Sequence, residues 1–130
     1  MQEPVWITKD VAFAIHERQL SEHGGGSGVR DNGLLESALG KPQNLFVYGD
    51  GQVDLAALAA SYAFGIARNH PFIDGNKRSA LVVSRTFLRL NGTDLVTSKE
   101  DKYLTFLALA AGEVSEEELA AWFRKNVKES

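Results

Sequence analysis

Apolar residues recur at helical spacing along almost the whole chain, and glycine, proline and capping residues separate the runs. This pattern predicts helices joined by short loops. Thr8 is placed as N-cap of a first helix through Val11, Ala14, Ile15 and Arg18 toward Glu22, ended by the Gly24–Gly26 run. A short second helix opens at Asp31 or Asn32, carries Leu34, Leu35, Ala38 and Leu39, and stops at Gly40. Asp54 caps a third, in which Leu55, Leu58, Ala59, Tyr62 and Ile66 form one stripe. That helix ends at His70-Pro71, because proline biases the preceding residue away from helical backbone. The fourth runs from about Asn76 to Asn91. Its Ala80-Leu81-Val82-Val83 segment is apolar on every side, which predicts a central, largely buried helix. Thr97 with Glu100 and Ser115 with Glu118 read as capping boxes. They open a fifth helix facing inward through Leu104, Leu107, Ala108 and Ala111, and a sixth through Leu119, Trp122, Phe123 and Val127.

Residues 44–53 differ. Two β-favouring runs flank Gly49-Asp50-Gly51, a hairpin signal, and a lone hairpin must lie against a larger body to be stable. The expected fold is therefore all-α: a compact bundle of about six helices with one small β-hairpin flap. A single domain is expected over residues 1–130, since 130 residues is close to the commonest size for one core.

The chain has no Cys, which removes disulfides, thiolate metal sites and cysteine nucleophiles and suits a reducing cytoplasm. No signal-peptide pattern opens it. The uncharged stretch Leu55–Ala67 falls short of the ~18 residues a membrane span needs, so a soluble protein with no membrane partner is expected. The net charge is −3, yet Arg68, Lys77, Arg78, Arg85 and Arg89 concentrate positive charge in the middle of the chain. An acidic chain with a local basic zone argues against direct nucleic-acid binding and for a small anion such as phosphate.

The chemistry concentrates in His70-Pro71-Phe72-Ile73-Asp74-Gly75-Asn76-Lys77-Arg78, a loop entering the N-terminus of the fourth helix. First-turn N–H groups lack intrahelical partners, and the helix dipole is positive there. Lys77 and Arg78 oppose that dipole and make sense if an anion docks between them and the free N–H groups. His70 is the residue type suited to accept a proton near neutral pH, and Asp74 is a hard oxygen ligand suited to Mg²⁺. Together they read as phosphoryl or nucleotidyl transfer. Structural readings stand beside this one: Asp74 and Asn76 as caps, Gly75 as a relaxed turn, Lys77 and Arg78 as solvated charges. Phe72 and Ile73 are core anchors in either case, and His16 and His23 are surface residues.

His-Pro-Phe-x-Asp-Gly-Asn-Lys-Arg resembles the Fic/Doc family signature, and Lys77 in place of the usual glycine looks like the death-on-curing (Doc) branch. The segment from Gly28 to Leu39 looks like the N-terminal region of that branch. The resemblance implies a Fic-fold helical bundle and the following roles. His70 is the general base, with Lys77 the residue that sets which phosphate is transferred. Phe72, Gly75, Asn76, Lys77 and Arg78 bind ATP, Asp74 holds Mg²⁺, and the hairpin around Leu45–Val53 clamps a target segment as an added strand. It further implies a cytoplasmic toxin that moves the terminal phosphate of ATP to a Ser or Thr of an elongation factor Tu-like translation factor. A cognate antitoxin would hold that toxin in check by docking a disordered segment onto an apolar groove. The self-inhibitory Ser/Thr-x-x-x-Glu-Gly/Asn helix of some Fic proteins has no match here. The Doc prototype carries Asn-Ala where this chain has Asp74-Gly75, so Fic-type AMP transfer stands as the alternative, with a catalytically silent nucleotide- or partner-binding protein as the third reading.

Overall fold

Small side chains put one helix at the centre. In the computed structural model, which describes residues 1–49 and 53–129, α3 (Leu55–Asn69) buries ten of its residues, among them Ala56, Ala59, Ala60, Ala63 and Ala67. Alanines let neighbouring helices approach closely, and α3 packs against α2 (Asn32–Tyr48), α4 (Asn76–Leu90) and α6 (Glu116–Asn126). The central place expected for α4 thus belongs to α3. On α4, Ala80, Val83, Phe87 and Leu88 are buried, whereas Leu81 and Val82 are only partly so. α1 (Lys9–His23) and α5 (Lys99–Ala110) complete six helices among the described residues. None is long and apolar enough to cross a membrane.

The all-α bundle with one small antiparallel pair is present, but the pair lies elsewhere than expected. Thr93–Leu95 (β1) pairs with Val127–Glu129 (β2) in the register Thr93↔Glu129. Leu45–Tyr48, expected as a strand of the flap, form the last turn of α2, and residues 50–52 lie outside the described residues. α2 also runs through Gly40 and Pro42 instead of stopping. A proline inside a helix costs about 3 kcal/mol through its missing N–H and its clash with the preceding turn. Burial of Leu35, Ala38, Leu39 and Pro42 itself against α3 offsets this, and Phe46 meets the Trp6 ring edge-on at 5.7 Å.

Helix starts follow the expected caps. Thr8, Asp31 and Asp54 accept from Val11, Leu34 and Ala57 N–H, and the Ser115–Glu118 capping box is complete in both directions. For α5 the cap is Ser98 and not Thr97, whose hydroxyl instead donates to Asp101. α5 is also turned relative to the expectation. Phe106 and Leu109 are buried, whereas Tyr103, Leu104 and Leu107 face solvent. On α1, Ala12 and His16 point inward while Val11 and Ala14 are exposed.

Arg85 grips the Asp94 carboxylate with two N–H bonds of 3.0 and 3.3 Å, and Arg89 adds a third at 3.1 Å, tying α4 to β1. The Arg85 hydrogen bonds, with help from Arg89, hold the Asp94 carboxyl at about 2 against an ordinary 3.8. A carboxyl depressed on folding stabilises above its unfolded pKa and loses that contribution as pH falls through its folded value. The stability gap between wild type and Asp94→Asn should therefore be full at neutral pH and close as pH falls from about 4 to about 2. Urea midpoints measured across that range test this.

Candidate active site

The loop between α3 and α4 is folded by its own side chains. Asn76, the first residue of α4, turns its amide back into the loop. Its Oδ1 accepts from Phe72 N–H at 3.0 Å, and its Nδ2 donates to Phe72 C=O at 2.9 Å. These two bonds set which way the amide points, so the same Nδ2 faces His70 Nδ1 at 3.4 Å. The contact is long for a hydrogen bond, and because an amide nitrogen only donates, it asks Nδ1 to accept and favours the ring proton on Nε2.

His70 ends α3 in left-handed backbone, φ 50° and ψ 56°, which is uncommon for a residue other than glycine and costs energy. Arg30 holds it there. Its guanidinium donates to the carbonyls of His70 at 2.7 Å and Asn69 at 2.8 Å, satisfying the C-terminal end of α3. The His70 side chain is left exposed at the mouth of a cavity of about 400 Å³, lined also by Ile73, Asp74, Gly75, Asn76, Lys77, Arg78 and Ala110.

Gly75 is the N-cap of α4 with φ 76°, and among the described residues no side chain caps that first turn. The turn therefore presents free N–H groups and a positive dipole to the cavity. Lys77 and Arg78 form no ion pair among the described residues. Lys77 Nζ lies 5.4 Å from the Tyr103 ring centroid, a cation–π contact that carries the ammonium toward α5. The arrangement can hold an anion against the helix end with an imidazole beside it.

Six of the residues expected from the sequence line this one cavity: His70, Asp74, Gly75, Asn76, Lys77 and Arg78. Phe72 does not. Its ring is fully buried and it supports the loop from behind. Ile73, expected in the core, is 57% exposed at the cavity wall. The Asp74 carboxylate is exposed and already accepts from Gly75 N–H at 2.8 Å and Gly26 N–H at 3.3 Å.

The Fic/DOC family model matches residues 6–88, the stretch that builds this loop and its supports. The chain belongs to the Fic/DOC family. It is 35% identical over 119 residues to the protein kinase Doc of Escherichia phage P1, covering 92% of this chain and 93% of that one. It is 47% identical over 73 residues to the toxin Doc of Mycolicibacterium smegmatis, 55% of each chain. These relatives place it on the Doc branch of the family.

In this Fic/DOC chain, sequence reasoning missed the residues that brace the signature loop. His16, read as a surface residue, is fully buried and stacks on Phe72 with ring centroids 3.9 Å apart. Its Nε2 lies 2.8 Å from the Asp74 carbonyl, which can only accept, so Nε2 carries the proton; Nδ1 is buried without a partner. The glycine run between α1 and α2 lies against the same loop. Ile73 N–H donates to Gly28 C=O at 3.1 Å, and Arg30 N–H donates to Pro71 C=O at 2.7 Å. A side chain on Gly25, at φ 122°, would place its Cβ 2.7 Å from Asp74 Oδ2. The only sequence signal for this brace was the Gly24–Gly28 cluster itself.

His16→Leu keeps the packing but leaves the Asp74 carbonyl unpaired. It should destabilise the protein by about 1–3 kcal/mol, the range for a lost partner of a buried polar group. His16→Gln, whose amide N–H has similar reach, should recover part of this. Urea denaturation of the three proteins checks it.

Proposed function

We propose that this Fic/DOC chain is the toxin of a toxin–antitoxin pair, transferring the terminal phosphate of ATP to a Ser or Thr hydroxyl of an elongation factor Tu-like translation factor in the cytoplasm. The observation that carries the reading is the exposed imidazole of His70 beside the uncapped N-terminus of α4, with Lys77 and Arg78 on the same cavity. The similarity to proteins named protein kinase Doc and toxin Doc supports it.

On this reading the polyphosphate lies along the first turn of α4, against the free N–H groups, Lys77 and Arg78. The target hydroxyl approaches His70. Its oxygen forms a new bond to the terminal phosphorus as its proton passes to an imidazole nitrogen, the bond from that phosphorus to the bridging oxygen breaks, and ADP leaves. His70 must present an unprotonated nitrogen to the hydroxyl, and its exposed ring stands at the mouth of the cavity where that proton is taken. Asn76 and Arg30 hold the ring and its backbone in place, which supplies orientation.

Asp74 is the residue that would hold Mg²⁺. No group of three His, Asp or Glu side chains suited to an ion occurs among the described residues. One exposed carboxylate with spare lone pairs fits an ion that takes its other ligands from phosphates and water. When bound, Mg²⁺ supplies charge neutralisation on the phosphate oxygens. AMP transfer remains the second reading, favoured by the Fic-like Asp74-Gly75 pair.

Added with ATP to a translation extract, the purified chain is expected to stop protein synthesis, and fresh elongation factor Tu, added once the chain has been removed, to restore it. Continued synthesis, or an arrest that fresh factor does not relieve, contradicts the proposal.

A further inference from the structure

Two segments far apart in sequence hold the Asp74 carboxylate. Its Oδ1 accepts from Gly75 N–H at 2.8 Å, inside the signature loop. Its Oδ2 accepts from Gly26 N–H at 3.3 Å, in the glycine run between α1 and α2. His16 fixes the same residue from beneath, with Nε2 2.8 Å from the Asp74 carbonyl. Backbone and side chain are therefore both anchored, although the residue is exposed. A carboxylate offers about four lone-pair positions. One on each oxygen is taken by an N–H, and one on each stays open. The charge stays open too: among the described residues Asp74 forms no ion pair, although Lys77 and Arg78 line the same cavity. A tie between two loops has no use for an uncompensated negative charge, whereas a cation does.

The glycine run comes this close because Gly25 has no side chain. Its backbone sits at φ 122°, a conformation open to glycine, and a Cβ there would stand 2.7 Å from Asp74 Oδ2 and 3.2 Å from Asp74 Cγ. Relieving that contact means turning the carboxylate away or shifting the run, and each breaks the bond from Gly26. A Cβ on Gly24, whose φ of 75° is also glycine backbone, meets nothing within 4 Å.

We infer that Gly25 and Gly26 are positioning residues for a divalent cation: they hold the Asp74 carboxylate in one orientation before the ion arrives. The inference rests on the Mg²⁺ role proposed above for Asp74, and it adds that the segment between α1 and α2 sets the affinity. A ligand ordered beforehand spares binding the cost of ordering it. Removing the group that orients a metal ligand typically weakens metal binding by about 10–100-fold.

The test reads the Mg²⁺ dependence of ATP binding, without turnover. ATP is titrated calorimetrically in saturating Mg²⁺ and again in EDTA, into wild type, Gly25→Ala, Gly26→Pro, Gly24→Ala and Asp74→Asn. Gly25→Ala displaces the carboxylate. Gly26→Pro removes the donated N–H at an exposed loop position and carries the test should the alanine disturb the fold. Gly24→Ala strains the same run without touching Asp74. The gain in ATP affinity that Mg²⁺ brings is expected to shrink at least roughly tenfold in Gly25→Ala and Gly26→Pro, toward that of Asp74→Asn, while Gly24→Ala keeps the wild-type gain. An equal loss of affinity with and without Mg²⁺, which general damage to the loop produces, leaves the gain unchanged and overturns the inference. An equal fall in Gly24→Ala overturns it as well. A wild-type gain in Asp74→Asn overturns instead the Mg²⁺ reading on which it rests.

Discussion

His70→Ala is expected to slow transfer by about 10²–10⁴-fold, the usual contribution of a positioned general base, while leaving the protein folded. The imidazole is exposed and its one side-chain contact is the long 3.4 Å approach of Asn76. Its backbone bonds, N–H to Ile66 C=O and C=O from Arg30, survive the substitution. Removing an exposed group with no other partners usually changes stability by less than about 0.5 kcal/mol. Single-turnover transfer and a thermal melt on the same sample separate the two effects. A large loss of stability together with activity would mean that the ring is structural and not a base.

Asn76 carries the second large effect, and two substitutions divide its roles. Asn76→Ala strips Phe72 N–H and C=O of their partners in a fully buried setting, so it should cost about 1–3 kcal/mol and abolish detectable transfer. Asn76→Asp keeps an oxygen for Phe72 N–H but gives up the donor, and it puts a negative charge at the helix N-terminus. That charge suits the dipole and so limits the loss of stability, yet it repels a phosphate at the same place. ATP affinity should drop at least roughly tenfold, a change of about 1.4 kcal/mol, in a protein that still melts cooperatively. Calorimetric titration with a parallel melt measures both. Wild-type ATP affinity in Asn76→Asp would mean that no phosphate lies against this turn.

The parts of this molecule legible in the sequence are those that short-range chemistry determines. Thr8, Asp31, Asp54 and Ser115 cap helices because the side chain and the N–H it accepts from lie three residues apart. The signature loop was legible for the same reason: His70, Asp74, Asn76 and Lys77 are neighbours in sequence and meet at one cavity. What failed was set at long range. Gly40 and Pro42 look like a helix end, and only the packing of α2 on α3 carries the helix through them. Turning α5 inward through Phe106 and Leu109 depends on α3, α4 and α6, whose surfaces no local pattern of Leu and Ala reveals. His16 meets Asp74 across 58 positions, and a lone polar residue in an amphipathic helix gives no sign of such a partner. Ile73 and Phe72 are alike in hydrophobicity, but the turn made by Asn76 buries one and exposes the other.

The central claim is that His70 and the N-terminus of α4 together move the terminal phosphate of ATP onto a protein hydroxyl. The most direct measurement incubates the purified chain with Mg²⁺, elongation factor Tu and ATP labelled at either the α or the γ phosphate, with His70→Ala in parallel. Label from the γ position alone, absent with His70→Ala, is the predicted result. Label from the α position, or γ label that persists with His70→Ala, would contradict it.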